Sequence, residues 1–283
     1  MKLRFIAMTN KNLTVYKANQ VVEASYRLTL NEQRVVLACI AQIKSEDALL
    51  TTAKFELSAK EFASLFSLSE KRAYLALVDV AESLFKRYVV IDQPFKHDRS
   101  VNQLKVHWIS SIQYKQDMGK IVLCFSQDML PYLSELKGQF TRYKLEYIGN
   151  MTSVYAIRLY ELLMQWKTTG KREVEIAWLK QQFQIEEQYA DMHNFKKRVL
   201  LPAVADINQH SDYQVSWEQR KTGRNVTHLI FSFSEKPSSK PAPAAKEPKI
   251  LGISKSEIEQ QARIGESWED AARRIKAKKS SKV

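Results

Sequence analysis

Residues 194–198 read Asn-Phe-Lys-Lys-Arg and residues 220–224 read Arg-Lys-Thr-Gly-Arg. An amide, ammonium groups and guanidinium groups at this density donate hydrogen bonds to anionic oxygens and to the acceptor edges of bases. Asn194 offers the paired donor and acceptor that suit adenine, while Lys197 and Arg198 offer the donors that suit guanine. Arg220, Lys221 and Arg224 surround a glycine that permits a tight turn, so they would sit at a hairpin tip and meet phosphates or a minor groove. This is chemistry of recognition rather than of bond making.

Groups for bond making are poorly placed. Seven glycines include none in GxxxxGK or GxGxxG spacing, so no phosphate cradle for nucleotide hydrolysis is expected. His97, His107, His193, His210 and His228 are scattered without an HxH or HExxH pair, and no metal centre is expected. That counts against a nicking enzyme, in which a tyrosine acts beside a metal held by close histidines. Tyr155 and Tyr160 stand at helical spacing among leucines, as core residues do. Cys39 and Cys124 lie in apolar sequence without CxxC spacing and read as buried thiols. No catalytic residue, metal or cofactor is therefore assigned.

The basic residues need elements to hold them. With Phe195 as zero and about 100° per residue, Val199, Leu200, Ala203 and Ile207 fall on one face. Asn194, Lys197, Arg198, Leu201 and Ala205 fall opposite. Lys196 lies nearer the apolar side and has to snorkel outward. Pro202 has no N–H for the carbonyl of Arg198 and is expected to kink the helix. Strands at 213–217 and 226–233 complete a hairpin, and a basic helix beside a basic hairpin is the working end of a winged helix.

The same order of elements occurs earlier. Thr29 to Glu32 is a capping box that opens a helix from Leu30 to about Lys44, and a strand follows at 54–57. Ser58 to Glu61 is a second capping box, and Ser69 caps a third helix to about Lys86. In that third helix Ala73, Leu77, Val80, Ala81 and Leu84 face inward, leaving Lys71, Arg72, Leu75, Asp79, Glu82 and Lys86 outward. Strands at 88–91, 104–112 and 120–125 are predicted to form an antiparallel meander. Helix, strand, helix, helix and hairpin return about 120 residues later, with Thr152 capping a helix from Ser153 to about Thr168, a strand at 173–176 and a helix at 177–183. Two tandem winged-helix domains, an α+β fold, account for this pseudo-repeat; one larger α+β domain is the alternative. The expected organisation is an extension over 1–12, a first winged-helix domain over 13–135, a second over 136–235, and a flexible basic tail over 236–283. In the first domain Lys71, Arg72, Lys86 and Arg87 are the candidate DNA contacts, opposed by Asp79 and Glu82 on the same face.

The chain has 283 residues, 44 Lys and Arg against 31 Asp and Glu, and a net charge of +13. That balance favours a polyanionic partner such as double-stranded DNA. No apolar run approaches the roughly 18 residues that cross a bilayer, so a cytoplasmic protein without a membrane partner is expected. From Lys236 onward prolines and serines form a linker, and 12 Lys or Arg stand against 6 Asp or Glu. Residues 256–279 there carry helical spacing in Ile258, Ile264, Trp268, Ala272 and Ile275.

Several segments, in order, resemble the iteron-binding plasmid replication initiators, a family with two winged-helix domains. They are Asn19-Gln20-Val21-Val22-Glu23-Ala24 leading to Leu28-Thr29-Leu30-Asn31-Glu32-Gln33-Arg34, then Tyr155 through Leu163, Phe195-Lys196-Lys197-Arg198-Val199-Leu200, Ile207-Asn208 and Lys221-Thr222-Gly223-Arg224. The similarity covers about Asn12 to Phe233. It implies monomers that bind repeated origin sequences with both domains and help open adjacent A+T-rich DNA for a host initiator and the replicative helicase. It also implies homodimers, in equilibrium with monomers and joined through the first domain, that repress the protein's own gene. The tail lies outside the shared region, and Met8 is an alternative start. A transcriptional repressor with the same parts and no initiation role is the rival reading.

Overall fold

The computed structural model describes residues 13–44, 49, 51–95, 98, 100–136, 139–237, 249–250, 253–254 and 268–280. The expected extension over 1–12 and most of the tail between 238 and 267 lie outside the described residues. The chain divides into two units, Met1–Lys236 and Pro237–Val283, so both expected winged-helix domains fall in the first.

The first unit opens with β1 (Thr14–Ala18), a one-turn helix α1 (Asn19–Val22) and a two-residue strand β2 (Ser25–Tyr26). Helix α2 (Leu30–Ile40) begins at its predicted box: the Glu32 N–H donates to Thr29 Oγ1 at 3.3 Å, and the Thr29 N–H donates to the Glu32 carboxylate at 2.7 Å. Strand β3 (Phe55–Ser58) leads into α3 (Ala59–Leu65), where Ser58 and Glu61 repeat the exchange. Ser69 caps α4 (Glu70–Ser83), and one tight turn carries the helical path to Lys86. These starts were predictable because each depends on residues three apart.

The expected meander is corrected. The single strand predicted over 104–112 is two, β5 (Gln103–His107) and β6 (Ile109–Lys115), and they belong to different sheets. Strand β4 (Tyr88–Asp92) lies between β2 and β5, whereas β7 (Lys120–Phe125) lies between β3 and β6. Trp108 is the crossing point. Its side chain is fully buried in a T-shaped contact with Tyr26, its backbone N–H donates to the Arg87 carbonyl at 3.2 Å, and its carbonyl accepts from the Ser126 N–H at 3.1 Å. The first wing is therefore β6–β7, and β4–β5 is an insertion paired with β2.

Strand β8 (Phe140–Lys144) pairs antiparallel with β1, and a short helix α5 (Glu146–Gly149) follows. The second copy consists of α6 (Val154–Met164), β9 (Lys171–Glu175), α7 (Ile176–Phe183), α8 (Met192–Phe195), a π turn over Lys196–Leu200, α9 (Leu201–His210), β10 (Tyr213–Thr222) and β11 (Asn225–Glu235). Its sheet order, β10-β11-β9, is that of β6-β7-β3 in the first copy, as a structural repeat requires. Two local expectations shift. Ser153 rather than Thr152 caps α6, since Ser153 Oγ accepts the Ala156 N–H. The strand predicted at 173–176 starts at Lys171, directly after Gly170, whose φ of +64° turns the chain while its carbonyl accepts the Phe233 N–H at 2.8 Å.

In the second unit β12 (Lys249–Ile250) pairs with β13 (Ile253–Ser254), and α10 (Trp268–Ser280) occupies the end of the segment where helical spacing was read.

Helix α6 is apolar nearly all round and buried from Ala156 to Met164, as in the centre of a larger core. Two charges interrupt it, Arg158 and Glu161. Glu161 is fully buried; its carboxylate accepts from Lys17 Nζ at 2.9 and 3.1 Å, from the Tyr143 hydroxyl at 2.7 Å and from the Tyr26 hydroxyl at 3.4 Å. Lys17 is equally buried. Glu161→Ala would strand that ammonium in a dry core, and urea denaturation is expected to show a loss of about 3–5 kcal/mol. The pair Lys17→Met with Glu161→Leu should recover most of it. A single-variant loss below about 1 kcal/mol would mean that water reaches the site.

Candidate nucleic-acid interface

The second recognition helix starts at Asp191, whose carboxylate accepts the N–H groups of His193 and Asn194, both at 3.2 Å. Those two backbone bonds hold the Asp191 carboxyl below its ordinary value. Phe195, Val199, Leu200, Ala203 and Ile207 are buried, and Lys197, Arg198, Leu201 and Ala205 are exposed, as the periodicity predicts. Asn194 is half-buried, and its side-chain amide donates to Asp191 at 3.2 Å. Lys196 is half-buried too, with its ammonium 6.0 Å from the centre of the Trp217 ring, so snorkelling follows an aromatic face. Instead of a simple kink, the missing N–H of Pro202 coincides with a π turn in the residues before it. The exposed side of that turn carries Lys197 and Arg198 next to Leu201.

The second wing is longer than predicted. Thr222 pairs with Asn225 across the two-residue turn Gly223-Arg224, and Gly223 has a φ of +64°. A register shift between Arg220 and Lys221 separates the basic residues. Arg220 Nε is bonded to Glu173 on β9, whereas Lys221 and Arg224 are exposed at the tip. Trp217, which supports Lys196, was not marked as functional in the sequence. Its place one turn of sheet below a basic tip was the available signal.

In the first copy Lys71 and Arg72 are exposed in the first turn of α4. Lys86 is exposed at the far end, roughly 22 Å away by helical rise. Asp79 and Glu82 are exposed between them, as expected. Arg87 is set apart: its Nε donates to both oxygens of buried Glu32 at 2.9 and 3.0 Å, and Ser83 Oγ donates to the same carboxylate at 2.6 Å. Arg87 thus ties the end of α4 to the capping box of α2. Lys115 and Lys120 flank the first wing's turn and were missed by sequence reading. Both face Glu56, at 3.6 and 2.7 Å, and the Lys120 bond holds the Glu56 carboxyl below its usual range. The first wing tip therefore presents less net positive charge than the second.

The second recognition helix is anchored from behind. Buried Asp206 accepts the N–H groups of Thr152 and Ser153 at 2.8 and 2.9 Å, fixing α9 to the start of α6. Arg34 on α2 donates to the carbonyl of Met151 at 3.0 Å in the same loop, and burial lowers its pKa against the opposing pull of Asp206. Among the described residues no group of three or more His, Cys, Asp or Glu is placed to hold a metal, and no helix is long and apolar enough to cross a membrane.

Comparison with known proteins agrees with this architecture. The family described as "Initiator Replication protein, WH1" matches residues 14–164, and "Initiator Rep protein, WH2" matches residues 175–233. The first match takes in α6, the helix that opens the second copy of the repeat. A replication initiation protein of Escherichia coli is 28% identical over 226 residues, which cover 77% of this chain and 69% of the relative. The PI protein of Escherichia coli is 25% identical over 263 residues, covering 82% and 86%. The crystal structure of the Pi initiator protein in complex with iteron DNA superimposes with a TM-score of 0.70 at 24% identity, covering 81% of this chain and all of that one.

Asp206→Ala would leave two helix N-terminal donors without their acceptor. A loss of about 1–3 kcal/mol in urea denaturation is expected; Asp206→Asn, which keeps an acceptor, should lose less. Equal losses for the two variants would mean that the negative charge, rather than the shape or a neutral acceptor oxygen, carries the contact.

Proposed function

The chain belongs to the initiator replication protein family, with its WH1 and WH2 domains both present, and from that premise we propose that it binds repeated double-stranded sequences at a plasmid origin and starts replication there. The observation that carries the proposal is the exposed cationic surface of the second winged helix, Lys197 and Arg198 on the helix with Lys221 and Arg224 on the wing. It stands on a fold shared with a protein solved on iteron DNA. Lys197 and Arg198 enter the major groove and read base edges, Lys196 follows along Trp217, and Asn194, oriented by its bond to Asp191, offers its second N–H and its oxygen to adenine. Lys221 and Arg224 contact phosphates beside the helix, and Arg220 steadies the wing through Glu173. The first winged helix adds Lys71 and Arg72, with Lys86 at a second phosphate, while Arg87 keeps its role in the fold.

Binding at adjacent repeats then strains the neighbouring A+T-rich duplex, and a host initiator and the replicative helicase are the partners that exploit the opening. Homodimers joined through the first domain repress the gene from a related site. The proposal assigns the chain no catalytic step, and the expected domain bounds at 13–135 and 136–235 remain its working division.

Footprinting on the DNA upstream of the gene should show regularly repeated protected sites; one lone palindrome would favour a repressor without an initiation role. A plasmid unable to replicate should be maintained when it carries the gene with its upstream DNA, and failure of that rescue would remove the initiation step. Arg198→Ala is expected to weaken the cognate site by about 1–3 kcal/mol and relax the base preference at one position. An equal loss on all sequences would make Arg198 a phosphate contact. For Lys221→Ala, the slope of log affinity against log salt should fall by about one unit, and an unchanged slope would remove the residue from the interface.

A further inference from the structure

Arg158 is 2% exposed and lies in the middle of α6, far from the exposed cationic surface. Its Nη1 donates to the Val22 carbonyl at 3.1 Å, and its Nη2 donates to the Ala24 carbonyl at 2.7 Å and the Gln182 carbonyl at 3.3 Å. The guanidinium also lies 3.7 Å from the centre of the Tyr26 ring. Val22, Ala24 and Tyr26 precede α2 in the first winged helix. Gln182 lies in α7, the helix before the recognition helix of the second. One planar cation therefore holds backbone from both copies, and Ser25 Oγ, donating to the Gln181 carbonyl at 2.7 Å, closes the same seam.

A second seam crosses the N-terminal end of α6. Gly149 at the end of α5 lies so close to the first copy that an added Cβ would stand 2.8 Å from the Leu65 carbonyl, at the end of α3. Two residues further on, the Met151 carbonyl accepts from Arg34, and the Thr152 and Ser153 N–H groups reach Asp206 in α9. The second recognition helix is thus fixed to the start of α6 directly, and the first copy is held to the same helix through Arg34 and through the backbone that precedes α2.

We infer that Arg158 is a positioning residue that sets the separation and rotation of the two recognition helices, so that the protein measures the spacing between the two halves of its binding site. The inference rests on the proposed DNA reading for its biological meaning and on the seam alone for its geometry. Each base pair inserted between the halves moves them by about 3.4 Å and about a tenth of a turn. A rigid pair then loses the gain from simultaneous engagement. Lysine cannot replace the clamp, because an ammonium lacks the planar fork that reaches three carbonyls in two directions.

Two measurements on the full chain test this. The first places spin labels at Glu82→Cys on α4 and Gln209→Cys on α9, both exposed, and reads their distance distribution without DNA in monomer separated by size and diluted with unlabelled protein, so that only distances within one chain contribute. The parent should give one narrow distribution, Arg158→Gln a broad one, and Arg158→Lys an intermediate one. An equally narrow distribution in Arg158→Gln overturns the inference. The second compares affinity for one footprinted repeat with affinity for the same repeat carrying a single inserted base pair. The parent should lose about 100-fold, whereas Arg158→Gln should start weaker and lose no more than about 3-fold. A full insertion penalty in Arg158→Gln again overturns it. Broadening of the distance in Arg158→Gln with no insertion penalty in the parent leaves the clamp standing and sinks the two-half DNA reading instead. If Arg158→Gln does not fold, Arg158→Lys carries both measurements and should broaden the distance distribution and shrink the insertion penalty. An unchanged distribution and penalty in that variant overturns the inference.

Discussion

A carboxylate that loses its water costs several kcal/mol unless the groups around it replace the lost hydrogen bonds, and Glu161 is wholly out of reach of solvent. Its oxygens are met by the Lys17 ammonium on β1, the Tyr26 hydroxyl on β2 and the Tyr143 hydroxyl on β8, with the Arg158 guanidinium 3.8 Å away. Burial first, and then the charge of Glu161, push the Tyr143 hydroxyl well above its ordinary pKa, so it remains a donor. These partners come from three strands that local propensity alone would not bring together. Pairing of β1 with β8 and the approach of β2 to α6 are what the buried charge requires. The rest of the first unit is arranged around that requirement.

The same helix then links the two halves of the repeat. Arg158 faces one seam, and the N-terminus of α6, capped by Ser153 and bound by Asp206, faces the other. The second recognition helix is supported from the rear by the buried carboxylate of Asp206, which leaves its outer face available for charge. The outer faces of the two copies are unequal. In the second copy Lys197, Arg198, Lys221 and Arg224 are exposed, whereas in the first Glu56 pairs with Lys115 and Lys120, and Asp79 and Glu82 are exposed among the cations of α4.

Much of the fold was legible because its signals are short in range. The Thr29 and Ser58 capping boxes, the Ser69 cap and the turn at Gly223 each involve residues within three or four positions, and each element starts where they place it. The apolar stripe of the recognition helix was legible for the same reason. The meander was not, because nothing local marks Trp108 as a crossing between sheets; that role comes from Tyr26 and from the backbone partners at Arg87 and Ser126. Pro202 announced a disturbance of the helix, but a missing N–H is compatible with more than one distortion, and the π turn is seen only in the folded chain.

By itself the sequence determined the order of elements, their repetition, the starts of the helices and the concentration of positive charge on one helix and one hairpin. Helical and strand periodicity and capping act over a few residues and survive without a tertiary context. Which cations face outward was decided only in three dimensions. Arg87 meets Glu32, Arg220 meets Glu173, Lys120 meets Glu56 and Lys17 meets Glu161 across separations of 55, 47, 64 and 144 residues. A charge read along the chain carries no record of the carboxylate that packing brings against it. Three of these pairs form as each copy folds on itself and the fourth when β1 packs against α6, and only then are some basic residues matched with a carboxylate and others left without one.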